Sequence, residues 1–429
     1  MKPLNKLRRR ALPAVNNPGV KSSWLTLPNL LALLMVSAYI LRCSVLPVII
    51  PPTDRLLVFA SYAGLLLCWF YSVLSFESIN LPGLLFVLAC LPGAWFSSER
   101  HDSLAKYAGW ALMMLALAPV LTGKNARQIR RGAWQVMRVL VLAVGIGCFG
   151  WWVLRLPMLG RGQSFTGLMS NANMTGPMVS LGVVVAVSAA IASRGRRFYL
   201  WSVTGALCVV PAIVAGSRIS LAGLLAALLV VFVVQWQQSQ RYLMLAIPLG
   251  LLLVVGGYRA VLKSEAYNDM TQNLQGKGLQ NSREELWPAR VAEFKAHPLW
   301  GMGVGMGEGA GFEVDEEGHA NIEPGSSYLA ILSMTGYCGA IGFSILLLWF
   351  AGLWLAQTRL LPISQAGELA GVGAFMAVHG IAEGWILGVG SPLCLIFWLW
   401  TGYSADVLQP QVADRIKSKF QRKKLKTET

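Results

Sequence analysis

Long apolar runs, each about the length of a bilayer crossing, follow one another through almost the whole chain, and no other property narrows its folding options as far. A transmembrane helix needs about 20 mostly apolar residues. That window fits twelve times, near 27–46, 54–75, 81–97, 104–121, 134–154, 173–193, 198–215, 218–235, 241–257, 327–355, 366–382 and 386–404. Only 13% of the 429 residues are charged, where a soluble globular domain carries roughly 25%, so a soluble enzyme or secreted module is excluded. A transmembrane β-barrel is excluded as well, because its strands would read as alternating segments of about ten residues. The sequence predicts an all-α polytopic transmembrane bundle of about twelve spans.

The net charge of +16 is explained by where the charges fall. With both termini cytoplasmic, the inner connections hold 22 of the 36 Lys and Arg and the outer segments hold 12. That asymmetry is the positive-inside bias and fixes the orientation. Arg42 and Arg138 fall within spans. The basic tail from Arg415 to Lys426 reads as an anchor to anionic membrane lipids. No nucleic-acid-binding motif accompanies it, so no nucleic-acid partner is expected. The basic start runs into an apolar segment of full spanning length, unlike a cleaved signal. All seven Cys lie in or beside spans without metal-ligand spacing, and read as small packing residues.

These features divide the chain into a basic cytoplasmic N-terminus (1–26), nine spans (27–257), an outer cap loop (258–326), three spans (327–404) and a basic cytoplasmic tail (405–429). The cap segment holds 11 of the 20 acidic residues. A structureless loop of that length is unusual and long loops are usually functional, so a small folded, helical cap between spans nine and ten is expected. Within it, Ser282 and Glu285 have capping-box spacing. Trp287, Val291 and Phe294 recur on one helical face, and Pro298 follows the helix end. Alternating Gly at 301, 303, 305, 307, 309 and 311 predicts extended backbone packed closely on a neighbour or ligand. A second irregular segment, 155–172, is too polar to span and is expected to lie at the interface.

Outer-side charges are few enough to weigh singly. Arg218, in AGSRISLAGLL, lies between two spans with almost no connector. An arginine at that depth either snorkels to headgroups or grips an anion, since its planar fork matches phosphate oxygens. Arg283 opens the cap helix, and Arg290 lies seven residues on, where it extends a basic strip or pairs with Glu293 at i,i+3. Arg161, in the interfacial segment, suits a lipid headgroup or a substrate equally. His319 has a side chain that titrates near working pH and could orient or deprotonate a hydroxyl. His379 and Glu383 lie four apart near the outer end of a span, as a functional acid with its neighbour or as a pair joining two helices. No HExxH or comparable spacing is present, so no metal is expected.

Four stretches in order carry a resemblance: FTGLMSNANMTG (165–176), AGSRISLAGLL (215–225), NSREELWPARVAEFKAHPLWGMGVGMG (281–307) and PGSSYLAILSMTGYCGAIG (324–342). They are similar to the O-antigen ligase and O-antigen polymerase superfamily. The resemblance implies a membrane glycosyltransferase of the bacterial inner membrane acting at the periplasmic face. Its donor would be a polyprenyl-diphosphate-linked oligosaccharide, transferred to a hydroxyl without metal, nucleotide sugar or other cofactor. It makes Arg218 and Arg283 the residues that neutralise leaving-group charge, with His319 and Glu383 completing the catalytic candidates. Arg161, Asn171, Asn173, Arg290 and Tyr328 are the substrate-binding candidates. The family carries His-Asn ahead of Ser-Tyr-Leu, whereas Gly325 stands at the corresponding position here. Either His319 reaches back, or Glu383 or Glu323 supplies the base. That departure favours a polymerase of exopolysaccharide or O-antigen repeat units over a ligase moving finished glycan to a lipid or protein acceptor. Other polysaccharide assembly proteins are possible partners. A secondary transporter is the rival of another class, although the two halves show no matching repeat.

Overall fold

The computed structural model describes residues 26–157, 165–236, 282–306, 312–314, 320–322, 325–357 and 361–427, and their side chains except at 236, 282–285, 312–322, 357 and 410–427. The described elements run in the order α1 (Leu27–Arg42), α2 (Leu46–Ile49), α3 (Pro52–Val73), β1 (Phe76–Ile79), α4 (Leu81–Phe96), α5 (Arg100–Leu117), β2 (Leu121–Gly123), α6 (Lys124–Val153), α7 (Ala172–Ala192), α8 (Arg196–Val214), α9 (Arg218–Trp236), α10 (Ser282–Ala296), β3 (Phe312–Val314), β4 (Ala320–Ile322), α11 (Ser327–Gln357), α12 (Ile363–Ala382) and α13 (Pro392–Thr427). Prolines open α1, α3 and α4, where the missing N–H costs nothing. Asn80 and Asn171 cap α4 and α7, each accepting a backbone N–H three residues on.

Among the described residues, six helices are long and apolar enough to cross a membrane: α3, α6, α7, α8, α9 and α11. Helices also run through five more of the predicted windows; α1 and α4 are apolar but shorter. The window at 241–257 lies outside the described residues. The last window differs in kind. Residues 386–391 are not helical, yet Trp385, Ile386 and Leu387 are buried. Irregular backbone is tolerated inside such a protein only when its polar groups are answered. Here the Ile386 carbonyl accepts from Trp110 Nε1 at 3.2 Å, Trp398 Nε1 at 3.0 Å and Cys394 Sγ at 3.2 Å.

Two short antiparallel ladders qualify the all-α expectation. β1 pairs with β2, and β3 with β4. The β1–β2 pair marks one end of the bundle, where buried charges are also answered. Arg130 grips Asp406 of α13 through Nε at 2.6 Å and Nη2 at 2.7 Å. Arg138 Nε lies 3.1 Å from Glu368, which also accepts from Trp134 Nε1.

At the opposite end α11 is broken at Gly336, whose φ is 59°. A break strands carbonyls on one side and N–H groups on the other. The strap 298–303, which follows α10, lies across it and answers both. Met302 and Gly303 donate to Ser333 O and Met334 O, while Tyr337 and Cys338 donate to Pro298 O and Leu299 O. Gly301, Gly303 and Gly305 take φ of 73°, 118° and 74°, so these three serve close approach as expected, but in left-handed rather than extended backbone; Gly307, Gly309 and Gly311 lie outside the described residues. A Cβ at Gly303 would lie 2.5 Å from Ser103 Oγ, and one at Gly305 2.5 Å from Lys106 Cδ. Lys106 Nζ donates to Gly305 O at 3.0 Å, tying the strap to α5.

Candidate functional site

α9 and α12 run antiparallel in close contact. Gln235 Nε2 donates to Ile363 O at 3.2 Å, and a Cβ at Gly223 would lie 3.0 Å from the Phe375 ring. Carrying that register five residues further brings Arg218 level with Gly380, one turn before Glu383. At the same end α7 meets α9, since a Cβ at Gly176 would lie 2.8 Å from both Ser217 Cβ and Ser220 Oγ. The start of α11 closes on α12. Ser327 Oγ donates to Glu383 O at 2.7 Å, and Tyr328 Oη to Ala377 O at 2.8 Å. α10 is joined there through Trp287 Nε1, which donates to Gly325 O at 3.0 Å. Arg283 is one turn upstream of Trp287 on α10.

Arg218 is exposed at the first position of α9, where the helix dipole disfavours a cation. It has no carboxylate partner among the described residues, whereas Arg42, Arg127, Arg130, Arg138 and Arg290 each have one. Arg290 is 3% exposed, and its Nη1 lies 2.8 Å and 3.1 Å from the two Glu293 oxygens. Of its two expected roles, the structure displays the ion pair. The buried face of α10 is accordingly Leu286, Arg290 and Glu293, not Trp287 and Val291, which are each 38% exposed. Phe294 does pack, edge-on to Tyr337 at 4.9 Å.

Asn171 is spent as the cap of α7, while Asn173 is exposed two residues on. Tyr328 is partly exposed with its hydroxyl engaged. Glu383 is half-buried at the C-cap of α12. His379 is 1% exposed and stacks on Phe375. Its Nδ1 accepts from Trp385 Nε1 at 3.0 Å, so the neutral ring carries its proton on Nε2. Arg161, His319 and Glu323 lie outside the described residues, as does the side chain of Arg283. Gly325 has φ 68°, and a Cβ there would stand 3.0 Å from Leu286 Cβ. A histidine at that position would therefore be strained.

Sequence reasoning passed over Ser327, which also accepts from Trp385 N at 3.0 Å and Ile386 N at 3.4 Å. Its one signal was a polar residue opening an apolar helix. At the far end, a separate cleft of about 560 Å³ is lined by Glu77, Asn80, Thr122, Arg127, Asp406 and Gln409.

Residues 203–344 match the family model described as O-antigen ligase. That stretch is similar to the O-antigen ligase family. The matched stretch runs from α8 into α11 and takes in Arg218, Arg283, Arg290, His319 and Tyr328, while Arg161, Asn171, Asn173 and Glu383 fall outside it. No curated protein matches the chain. O-antigen ligase family members are glycosyltransferase-like enzymes of the membrane, and the family implies a lipid-linked glycan as substrate.

Proposed function

We propose that this protein polymerises polyprenyl-diphosphate-linked oligosaccharide repeat units, building an exopolysaccharide or O-antigen chain at the periplasmic face of a bacterial inner membrane. In this reading twelve spans place both termini in the cytoplasm and the cap, residues 258–326, in the periplasm. The observation that carries it is Arg218, an exposed guanidinium set against its helix dipole, with no carboxylate partner among the described residues, inside the stretch that matches the O-antigen ligase family model.

The chemistry asks little of a covalent catalyst. An acceptor hydroxyl attacks the anomeric carbon, the bond from that carbon to the diphosphate oxygen breaks, and polyprenyl diphosphate leaves with the electron pair. The hydroxyl proton passes to a base, for which His319 and Glu383 are the candidates. Charge grows on the leaving diphosphate, so preorganised cations there stabilise the transition state more than the ground state. Arg218 and Arg283 fill that role in this proposal, with Arg161 and Asn173 toward the donor and Tyr328 at the rim. No step calls for a metal or organic cofactor.

Purified protein supplied with lipid-linked repeat units and no other acceptor tests the reading. A polymerase builds a ladder of regularly spaced products. Product that appears only when a distinct lipid or protein acceptor is added assigns the chain to ligation instead.

A further inference from the structure

The bundle end that holds Arg218 also holds Arg42, an arginine to which the proposed transfer assigns no role. It ends α1, where a cation suits the helix dipole. Its Nε stands 3.8 Å from Asp54 Oδ1, with the two side chains 28% and 54% exposed. One long contact to a solvated carboxylate is weak, and it leaves most of the five guanidinium donors unspent. The guanidinium lies over the loop between α12 and α13, since a Cβ at Gly390 would be 3.2 Å from Nη1. The Tyr39 and Tyr62 hydroxyls stand within electrostatic reach of Arg42. Tyr62 is held against α5, where a Cβ at Gly109 would lie 3.3 Å from its Oη. Tyr39 is 1% exposed, and its hydroxyl makes no hydrogen bond among the described residues. A buried hydroxyl without a partner is costly and calls for an explanation.

We propose that Arg42, Tyr39 and Tyr62 form a binding site for a lipid phosphate. The arginine fork takes two phosphate oxygens, and the phenols donate to the others, giving Tyr39 the acceptor it lacks. The position is that of a headgroup, because α1 is an apolar helix ending at Arg42. The site is joined to the Arg218 end by backbone pairing ahead of α7: Val45 N donates to Leu168 O at 3.0 Å, and Ser170 N to Cys43 O at 2.9 Å. The phosphate belongs either to a bilayer phospholipid or to a polyprenyl diphosphate. The phospholipid case stands without the transferase reading.

Native mass spectrometry of the purified full chain separates the sources. Wild type, Tyr39→Phe and Arg42→Gln are each loaded with phosphatidylglycerol against phosphatidylcholine and, separately, with polyprenyl diphosphate. The proposal expects both variants to lose about tenfold in affinity for one phosphate lipid, the factor that one hydrogen bond to a charged group supplies. Loss of phosphatidylglycerol selectivity assigns the site to the bilayer. Loss of polyprenyl diphosphate binding with phosphatidylglycerol unchanged assigns it to the donor. Tyr39→Phe keeps the ring and its packing, so it decides alone if Arg42→Gln does not fold. Unchanged binding of both lipids by Tyr39→Phe overturns the proposal.

Discussion

The hydroxyl of Ser327, the first residue of α11, donates to the carbonyl of Glu383, the residue that ends α12, at 2.7 Å. The same oxygen receives the N–H groups of Trp385 and Ile386. One small side chain thus holds the start of one helix, the end of another and the buried loop that follows.

Removing it should loosen all three. Ser327→Ala leaves buried backbone groups without their partner, at about 1–3 kcal/mol. A lower thermal midpoint for the detergent-purified variant, with reduced transfer activity, is the expected outcome. A midpoint equal to wild type counts against the hub.

Arg218→Ala should insert and elute like wild type yet lose about two to three orders of magnitude in initial rate, the range for deleting one preorganised charge-stabilising contact. Arg218→Lys should recover only part of that rate, because a point charge does not reproduce the planar fork. Full activity in Arg218→Ala removes the proposed clamp.

At the far end, Asp406→Asn removes the charge that answers the fully buried Arg130, and breaking such a pair costs about 3–5 kcal/mol. Low accumulation and a depressed unfolding midpoint are expected, and Arg130→Met combined with Asp406→Leu should restore part of the loss. If the single variant is as stable as wild type, the pair is not structural.

Glycine substitutions should split sharply by position. Gly336→Ala forces a side chain into left-handed backbone 2.5 Å from Leu299 C and O, so folded protein should fall steeply. Gly150→Ala in α6 meets nothing within 4 Å, and helix propensity predicts equal or slightly higher stability, by up to about 1 kcal/mol. Comparing fluorescence size-exclusion profiles of the two decides the matter.

Much of the fold was legible because burial of apolar length leaves so strong a trace. What misled was composition shared by unlike structures. Ile386 and Leu387 read as the start of a span, but indole donors to the Ile386 carbonyl let this backbone stay irregular. Arg290 read equally as part of a basic strip or as a partner of Glu293, and only the structure shows that pairing lets both turn inward. The glycine alternation announced close packing but not its handedness, since glycine accepts either sign of φ. In the candidate site, the place of Arg218 at the junction of two apolar helices was visible from its flanking sequence. That Asn171 serves as a cap was not, because capping depends on where a helix begins. The Arg42 site was hidden because its partners, Tyr39 and Tyr62, come from two helices and meet only in the folded bundle.

The strap across Gly336 interlocks residues 298–305 with α4, α5 and α11. Its carbonyls and N–H groups complete a helix that is synthesised after it, and its glycines fit only against the Ser97, Ser103 and Lys106 surface. A chimera that exchanged the strap would have to exchange the matching faces of α4, α5 and α11 as well.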